Sequence, residues 1–450
     1  MRKAIIFLFS LIFLLSSLTV GAGATYNKEL NVKSNILFMS SLDNGTIIFD
    51  KNADLKTAPA SLTKIITAMV VLENCKDLSE VVAAPAEVIR SFDGKNSSNA
   101  GIVVGEELTI DQLLHLMLVK SANEAASILA YHIGGNDIDK FVDMMNAYVK
   151  KLGCKNTHLK NPHGLDEEGQ YVTARDLNTI VTHALKNETF EKITSTTVYY
   201  LPPNNKRDKE TRFPTTNKLV SPSLKNYYYE YAKGVKTGTT EKAGCCLIST
   251  ASKNGYTYLC ISMQAPSEDI NGDGVEENMA FKDCKTAFEW VFKNIKLKVI
   301  ADPNDVVTTV DVDLSRKIDH VRLMPKEEIS DLVPTNVDST GILIEPIKET
   351  IPKSVEAPIK KGDVIGKARV MYAGKEIRKI DLVAGEDVSR SPILYIGHLI
   401  STAFKSTAVK IIAGVAILLI IFYIVINILY EKKKKKKSIY VVKDYRNLRK

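Results

Sequence analysis

Apolar residues are distributed along this chain in three ways, and each way predicts a different kind of element. Two stretches are almost wholly apolar and carry no charge. Ala4 to about Val20 follows Arg2 and Lys3 and leads into Ala22-Gly23-Ala24. That is the basic, apolar and small-residue succession of an export signal, expected over residues 1–24. Ile411 to Tyr430 holds no charge and one strongly polar residue, Asn427. At roughly 1.5 Å per residue this run spans about 30 Å, the hydrocarbon thickness of a bilayer. Lys432–Lys437 follow at once, and a lysine block beside a span marks its cytoplasmic flank. The expectation is an exported body, a linker over 389–407, a transmembrane helix over 408–430 and a basic cytoplasmic tail over 431–450.

Helical period dominates the first half of the body. Leu62, Ile65, Ile66, Met69 and Leu72 recur at helical spacing and predict a helix with one buried face. It opens with Pro59-Ala60-Ser61-Leu62-Thr63-Lys64. Thr109-Ile110-Asp111-Gln112 reads as a capping box in front of Leu113, Leu114, Leu116 and Met117. That helix runs out at Val119-Lys120, and Ser121-Ala122-Asn123 sits in the break before Glu124 to Tyr131 resumes. Thr173 to Asp176 begins another helix, and Phe281 to Phe292 is expected to close the first domain with one more.

Short β-type runs make up the rest. Asn35 to Asp50 forms two runs around Asp43-Asn44-Gly45, a hairpin signal. Ala243–Ala251 and Tyr256–Met263, separated by Ser252 to Gly255, read as antiparallel strands. Lys236 would then lie on a strand edge, with Gly238 letting a ligand's backbone approach. After about Lys296 the runs Val306–Val312 and Ile342–Ile347, with Pro358–Ala368 and Ile377–Ala384, predict a small all-β domain. The organisation expected is a first domain of helices and strands over 25–295 and a β-rich domain over 296–388. No nucleophile–base pair is found in the latter, which reads as a spacer.

Composition changes this picture in two places. The net charge is +8, yet Glu431 to Lys450 holds ten Lys or Arg and two acidic residues. The tail carries the whole excess and the body is neutral, which argues against a nucleic-acid partner. Six cysteines (75, 154, 245, 246, 260 and 284) include no Cys-x-x-Cys pair, and the seven histidines no His-Glu-x-x-His. Buried thiols are expected, and no metal or cofactor. Asp269-Ile270-Asn271-Gly272-Asp273-Gly274 begins like a calcium loop but has Ala280 where the bidentate Glu belongs. An acidic hairpin tip is the better reading.

The candidate chemistry lies in three short motifs. Ser61 and Lys64 form the only Ser-x-x-Lys in the chain, and three positions on a helix place both on one face. A serine hydroxyl needs a base, and a lysine can serve only if burial and positive neighbours depress its pKa. The helix start adds free N–H groups beside Ser61, where an oxyanion would develop. Lys236-Thr237-Gly238 is the only Lys-Thr-Gly. Ser121-Ala122-Asn123 lies between the two. Ser97-Ser98-Asn99 and Ser252-Lys253-Asn254 match the Ser-x-Asn pattern as well, but without flanking helices. His163, in Asn161-Pro162-His163-Gly164-Leu165, reads as a loop hydrogen-bonder and not as a catalyst.

In this order the motifs resemble those of the D-alanyl-D-alanine carboxypeptidases, the low-molecular-mass penicillin-binding proteins of the β-lactamase/transpeptidase-like superfamily. Asn161 to Leu165, Lys242-Ala243-Gly244 and Ala357 to Gly366 are similar to that family's local sequence too. The resemblance implies an α/β (α+β) catalytic domain, an antiparallel sheet covered by helices, in which Ser61 attacks the carbonyl between two terminal D-alanines of a peptidoglycan stem peptide, with Lys64 as base. It implies that Ser121 relays the proton to the leaving amine and that Asn123 bonds the peptide amide. Lys236, Thr237 and Thr239 would receive the terminal carboxylate, Gly238 would be a further substrate-binding residue, and the N–H groups of Ser61 and Thr239 would form the oxyanion hole. β-Lactams would acylate the same serine. Ser-Ala-Asn replaces the Ser-Asp-Asn of the class A β-lactamases. A β-lactamase and an inactive, membrane-tethered peptidoglycan-binding protein are the alternatives.

Overall fold

The structure is a computed structural model that describes residues 30–447, apart from 271, 336–341 and 373–374. The expected export signal, 1–24, lies outside the described residues. The chain forms two compact units that part near residue 300, with Ser330–Ile342 and Tyr372–Arg378 returning to the first.

The first unit is built on a five-stranded antiparallel sheet. Its strands are β1 (Ile36–Ser41), β2 (Ile47–Lys51), β3 (Ala232–Thr240), β4 (Gly244–Lys253) and β5 (Tyr256–Ala265), in the order β2-β1-β5-β4-β3. The Asp43-Asn44-Gly45 turn joins β1 to β2 as expected. β1 then pairs with β5, so the first hairpin is stitched into a sheet whose other strands come some 200 residues later. β3 is left as an edge.

Both faces of the sheet are covered. Ile36 and Phe38 point into one core with Ile248, Leu259 and Ile261; Leu37 and Met39 point into the other with Leu247, Tyr258 and Cys260. Alternation with both faces buried explains why these strands read as continuous apolar runs. The first core is closed by helices α1 (Thr63–Asn74), α2 (Ile110–Leu118), α3 (Asn123–Ile133), α4 (Ile138–Lys151) and α5 (Ala174–Ala184). The second is closed by α6 (Met279–Asn294), which covers the expected Phe281–Phe292. The capping box at the start of α2 is present, with Thr109 and Gln112 bonding reciprocally.

The structure corrects one expectation about α1. Every residue from Thr63 to Val71 is buried, not one face alone. The helix runs through the middle of the unit, packed by α2, α3, α4 and α5, and its Thr and Lys side chains are buried because partners meet them.

The second unit contains a six-stranded sheet, in the order Ile342–Pro346, Val364–Tyr372, Lys375–Ala384, His320–Pro325, Thr308–Asp313 and Ser354–Glu356. The last pair is parallel. Val310, Val321, Leu323, Ala368, Val370 and Leu382 form its buried face. The stretch expected as a linker contains a helix, Pro392–Lys405, capped by Ser391. Thr407–Asn447 follows as one helix, and Thr407–Lys434 within it is long and apolar enough to cross a membrane, its most apolar 18 residues having a mean hydropathy of 3.0. Of the calcium-like loop, Asn271 lies outside the described residues. Asp269 accepts from the N–H groups of Gly272, Asp273 and Gly274, between the paired strands Ser267–Glu268 and Glu277–Asn278. This is the acidic hairpin tip. All six cysteines are free thiols, five of them buried.

Candidate active site

The nucleophile turn is wedged between two glycines. Ala60 to Leu62 form a single tight turn in front of α1, with Ala60 at φ +47°, a conformation a Cβ-bearing residue adopts only under constraint. Gly164, at φ +87°, supplies part of that constraint: a Cβ there would stand 1.8 Å from the Ala60 carbonyl oxygen. Gly238 of β3 supplies the rest. A Cβ there would lie 2.9 Å from Ala60 Cβ and 3.1 Å from Ser61 N. The sequence suggested that Gly238 makes room for a ligand. The room it makes is for the nucleophile turn to lie against the sheet edge.

Lys64 is fully buried and its Nζ has three neighbours. Ser61 Oγ lies at 2.7 Å, Asn123 Oδ1 at 2.6 Å and the His163 carbonyl at 2.8 Å. Two of these can only accept. A neutral amine donates its two hydrogens to Asn123 and His163 and turns its lone pair to the Ser61 hydroxyl. Burial is the main reason its pKa lies well below the ordinary lysine value; the charge of Lys236 acts in the same direction and Glu124 opposes both. A buried cation that can lose its proton is the base Ser61 requires.

Ser121 stands in the break between α2 and α3, at φ +67°, and is buried. Lys236, 1% exposed on β3, donates to Ser121 Oγ at 2.9 Å and to the Thr237 carbonyl at 2.9 Å. Burial lowers its pKa to about 7. Thr237 is half-buried, and Thr239 is exposed with its hydroxyl donating to the Gly238 carbonyl at 2.8 Å. All eight residues singled out in the sequence therefore gather along the junction of β3, the nucleophile turn and the start of α3.

Sequence reasoning missed three contributors. The His163 carbonyl holds Lys64; the His163 ring is itself half-buried, its pKa lowered to about 3, mainly by desolvation, and it accepts from the Leu165 N–H. It is a structural histidine, as expected. Thr216 meets Thr237, hydroxyl to hydroxyl, at 2.6 Å. Asp166 accepts from the Thr240 hydroxyl and the Lys242 N–H, tying the Asn161–Leu165 loop to the end of β3. Only the loop's resemblance to the family hinted at its importance.

Such a fold and site define a class: active-serine acyl transferases and hydrolases in which a lysine replaces the more common histidine base. The comparisons narrow the class. A family model described as D-alanyl-D-alanine carboxypeptidase matches residues 23–267, and one described as penicillin-binding protein 5, C-terminal domain, matches 296–390. The chain is 28% identical over 363 residues to the D-alanyl-D-alanine carboxypeptidase DacF of Bacillus subtilis, covering 81% of this chain and 88% of that one. Penicillin-binding protein 5 from Haemophilus influenzae superposes with a TM-score of 0.60 at 26% identity, over 81% of this chain and 99% of that one. The Streptomyces K15 DD-transpeptidase superposes with a TM-score of 0.53 at 27% identity, over 59% and 99%. The chain belongs to the D-alanyl-D-alanine carboxypeptidase family of serine peptidases.

Proposed function

We propose that this enzyme removes the terminal D-alanine from peptidoglycan stem peptides through an acyl-enzyme on Ser61. The observation that carries the reading is the coordination of Lys64, which leaves a lone pair for one partner, the Ser61 hydroxyl. Lys64 takes the Ser61 proton as Oγ attacks the carbonyl between the two D-alanines. The oxyanion sits between the backbone N–H groups of Ser61 and Thr239, a reading supported by the close approach of Gly238 to Ser61 N. Ser121 passes a proton to the amine of the departing D-alanine, and Lys236 tunes that hydroxyl. Asn123 bonds the peptide amide, while Lys236, Thr237 and Thr239 face the terminal carboxylate. Water then releases the shortened peptide, and β-lactams acylate the same serine.

The catalytic domain spans 25–295 and the β domain 296–388 in this reading. The helix within 407–434 crosses the cell membrane once, with the catalytic unit outside and the lysine-rich tail in the cytoplasm. The enzyme thus trims cell-wall precursors at the outer membrane surface of the cell.

The test uses the full-length protein in detergent and its Ser61→Ala variant. Wild type alone should be labelled by a fluorescent penicillin and should alone release D-alanine from a peptide ending in D-Ala-D-Ala. Rapid penicillin turnover without peptide cleavage would mean a β-lactamase instead, and absence of labelling in folded protein an inactive binding protein.

A further inference from the structure

Glu124 follows Asn123 directly and is 4% exposed. Its Oε1 accepts the Ala100 N–H at 2.6 Å. Its Oε2 is sealed from solvent with no hydrogen bond of normal geometry, and among the described residues no cation pairs with the carboxyl at contact distance. Burying a carboxyl this way is costly, and an amide would satisfy Ala100 as well. Something other than packing must explain the acid.

Two relationships do so. The segment Ser98–Ile102 lies along the turn that carries Ser121 and Asn123: the Asn123 N–H donates to the Ser98 carbonyl at 2.9 Å and Ser98 Oγ to the Lys120 carbonyl at 3.2 Å. Glu124 holds this segment at the Ala100 N–H. Arg207 holds it at the carbonyls of Ala100 and Gly101, both at 3.0 Å, and is itself clamped by buried Glu106. Glu124 also acts electrostatically on Lys64, in the sense opposite to Lys236.

We propose that Glu124 is a positioning residue for acyl transfer, pinning Ser98–Ile102 to the Ser121–Asn123 turn and supplying the negative charge that opposes Lys236 at the Lys64 amine. This rests on Lys64 being the base. The groups that share its surroundings are Lys64 on α1, Lys236 on β3 and the neutral His163 ring on its loop, with Lys95 acting on that ring; Ser98–Ile102 carries no titratable side chain. Burial raises the Glu124 pKa, against the N–H groups of Ala100, Glu124 and Ile102 and the charge of Lys64.

The experiment follows acylation of the full-length protein in detergent by a fluorescent penicillin across pH, for wild type, Glu124→Gln, Glu124→Ala and Arg207→Ala. The rate rises with pH as Lys64 loses its proton. Glu124→Gln keeps an acceptor for Ala100 but removes the charge, so its rising limb should move acidward by roughly half a unit or more. Arg207→Ala loosens the segment without touching that charge, so its plateau should fall while the limb stays. Glu124→Ala should show both effects. Limb position does not depend on how much of a variant is folded, so partial misfolding cannot imitate the shift. A glutamine limb that coincides with wild type, or an alanine plateau equal to wild type, overturns the proposal. Failure of wild type itself to be labelled at Ser61 would instead remove the catalytic reading beneath it.

Discussion

Lys236 reaches the hydroxyl of Ser121 across 115 residues of sequence, at 2.9 Å, and does so from a site with 1% exposure. The contact joins the sheet edge to the helix break and brings the charge of a second lysine to bear on Lys64. It also has a thermodynamic consequence. Unfolded, the Lys236 amine holds its proton up to its ordinary value of 10.5; folded, only up to about 7. Between those values the unfolded chain binds more protons, so the residue's contribution to stability falls as pH drops through this window and is constant below it. Lys236→Met removes the penalty. It should be more stable than wild type near neutral pH, by on the order of a few kcal/mol, with a flatter pH dependence between 7 and 10.5 and much slower acylation. Urea unfolding at neutral and alkaline pH reads the difference; a variant less stable than wild type at neutral pH would show that Lys236 is stabilising there.

Lys64→Arg isolates the base. A guanidinium keeps its proton throughout the accessible range and cannot take one from Ser61. Acylation should fall by about 100- to 10,000-fold, the span that general-base loss covers. Raising the pH restores wild type from acid but should leave this variant unchanged. Rates of labelling by a fluorescent penicillin give the comparison, and an arginine variant that acylates within a factor of a few of wild type would exclude Lys64 as the base.

The two glycines around the nucleophile turn should fail differently. At Gly238 a methyl group meets Ala60 Cβ at 2.9 Å and Ser61 N at 3.1 Å, a clash the edge strand can relieve by moving outward. Gly238→Ala should cost about 1–3 kcal/mol and slow acylation at least tenfold, because Ser61 shifts against its base. At Gly164 both the backbone conformation and a 1.8 Å approach to the Ala60 carbonyl oppose a side chain. Gly164→Ala should lose more stability than Gly238→Ala, and melting temperatures measured side by side test the order.

How much of this could be read from the sequence follows from what each contact is made of. Ser61, Lys64, Ser121, Asn123 and Lys236 meet one another through side chains, so their motifs mark the cluster in the sequence, and the capping box and the β1–β2 turn are local enough to read directly. The His163 carbonyl, 99 positions from Lys64, is a backbone atom that any residue could supply, and only the folded loop reveals it. α1 has an amphipathic pattern because Thr63, Lys64 and Thr67 count as polar in a periodicity; Thr67 Oγ1 donates to the Pro162 carbonyl at 2.6 Å, so a polar side chain is satisfied inside the core. Pro392–Lys405 lies in the stretch expected as a linker, yet Ser391-Pro392 is a helix-start signal.

Thr216 is the functional candidate without a sequence signal, and it offers a test of what Thr237 does. Its N–H donates to the Val119 carbonyl at 3.2 Å and its hydroxyl meets that of Thr237 at 2.6 Å. The segment before β3 therefore fixes how Thr237 turns its hydroxyl. Thr216→Val keeps the volume and removes the bond, worth about 0.5–1.5 kcal/mol, and leaves the Thr237 hydroxyl free to rotate. If Thr237 receives the substrate carboxylate, acylation by a penicillin should slow by roughly 3- to 10-fold, and acylation by the same penicillin as its methyl ester should change less. Equal losses on acid and ester would mean that the pair braces the strand and has no part in recognising the carboxylate.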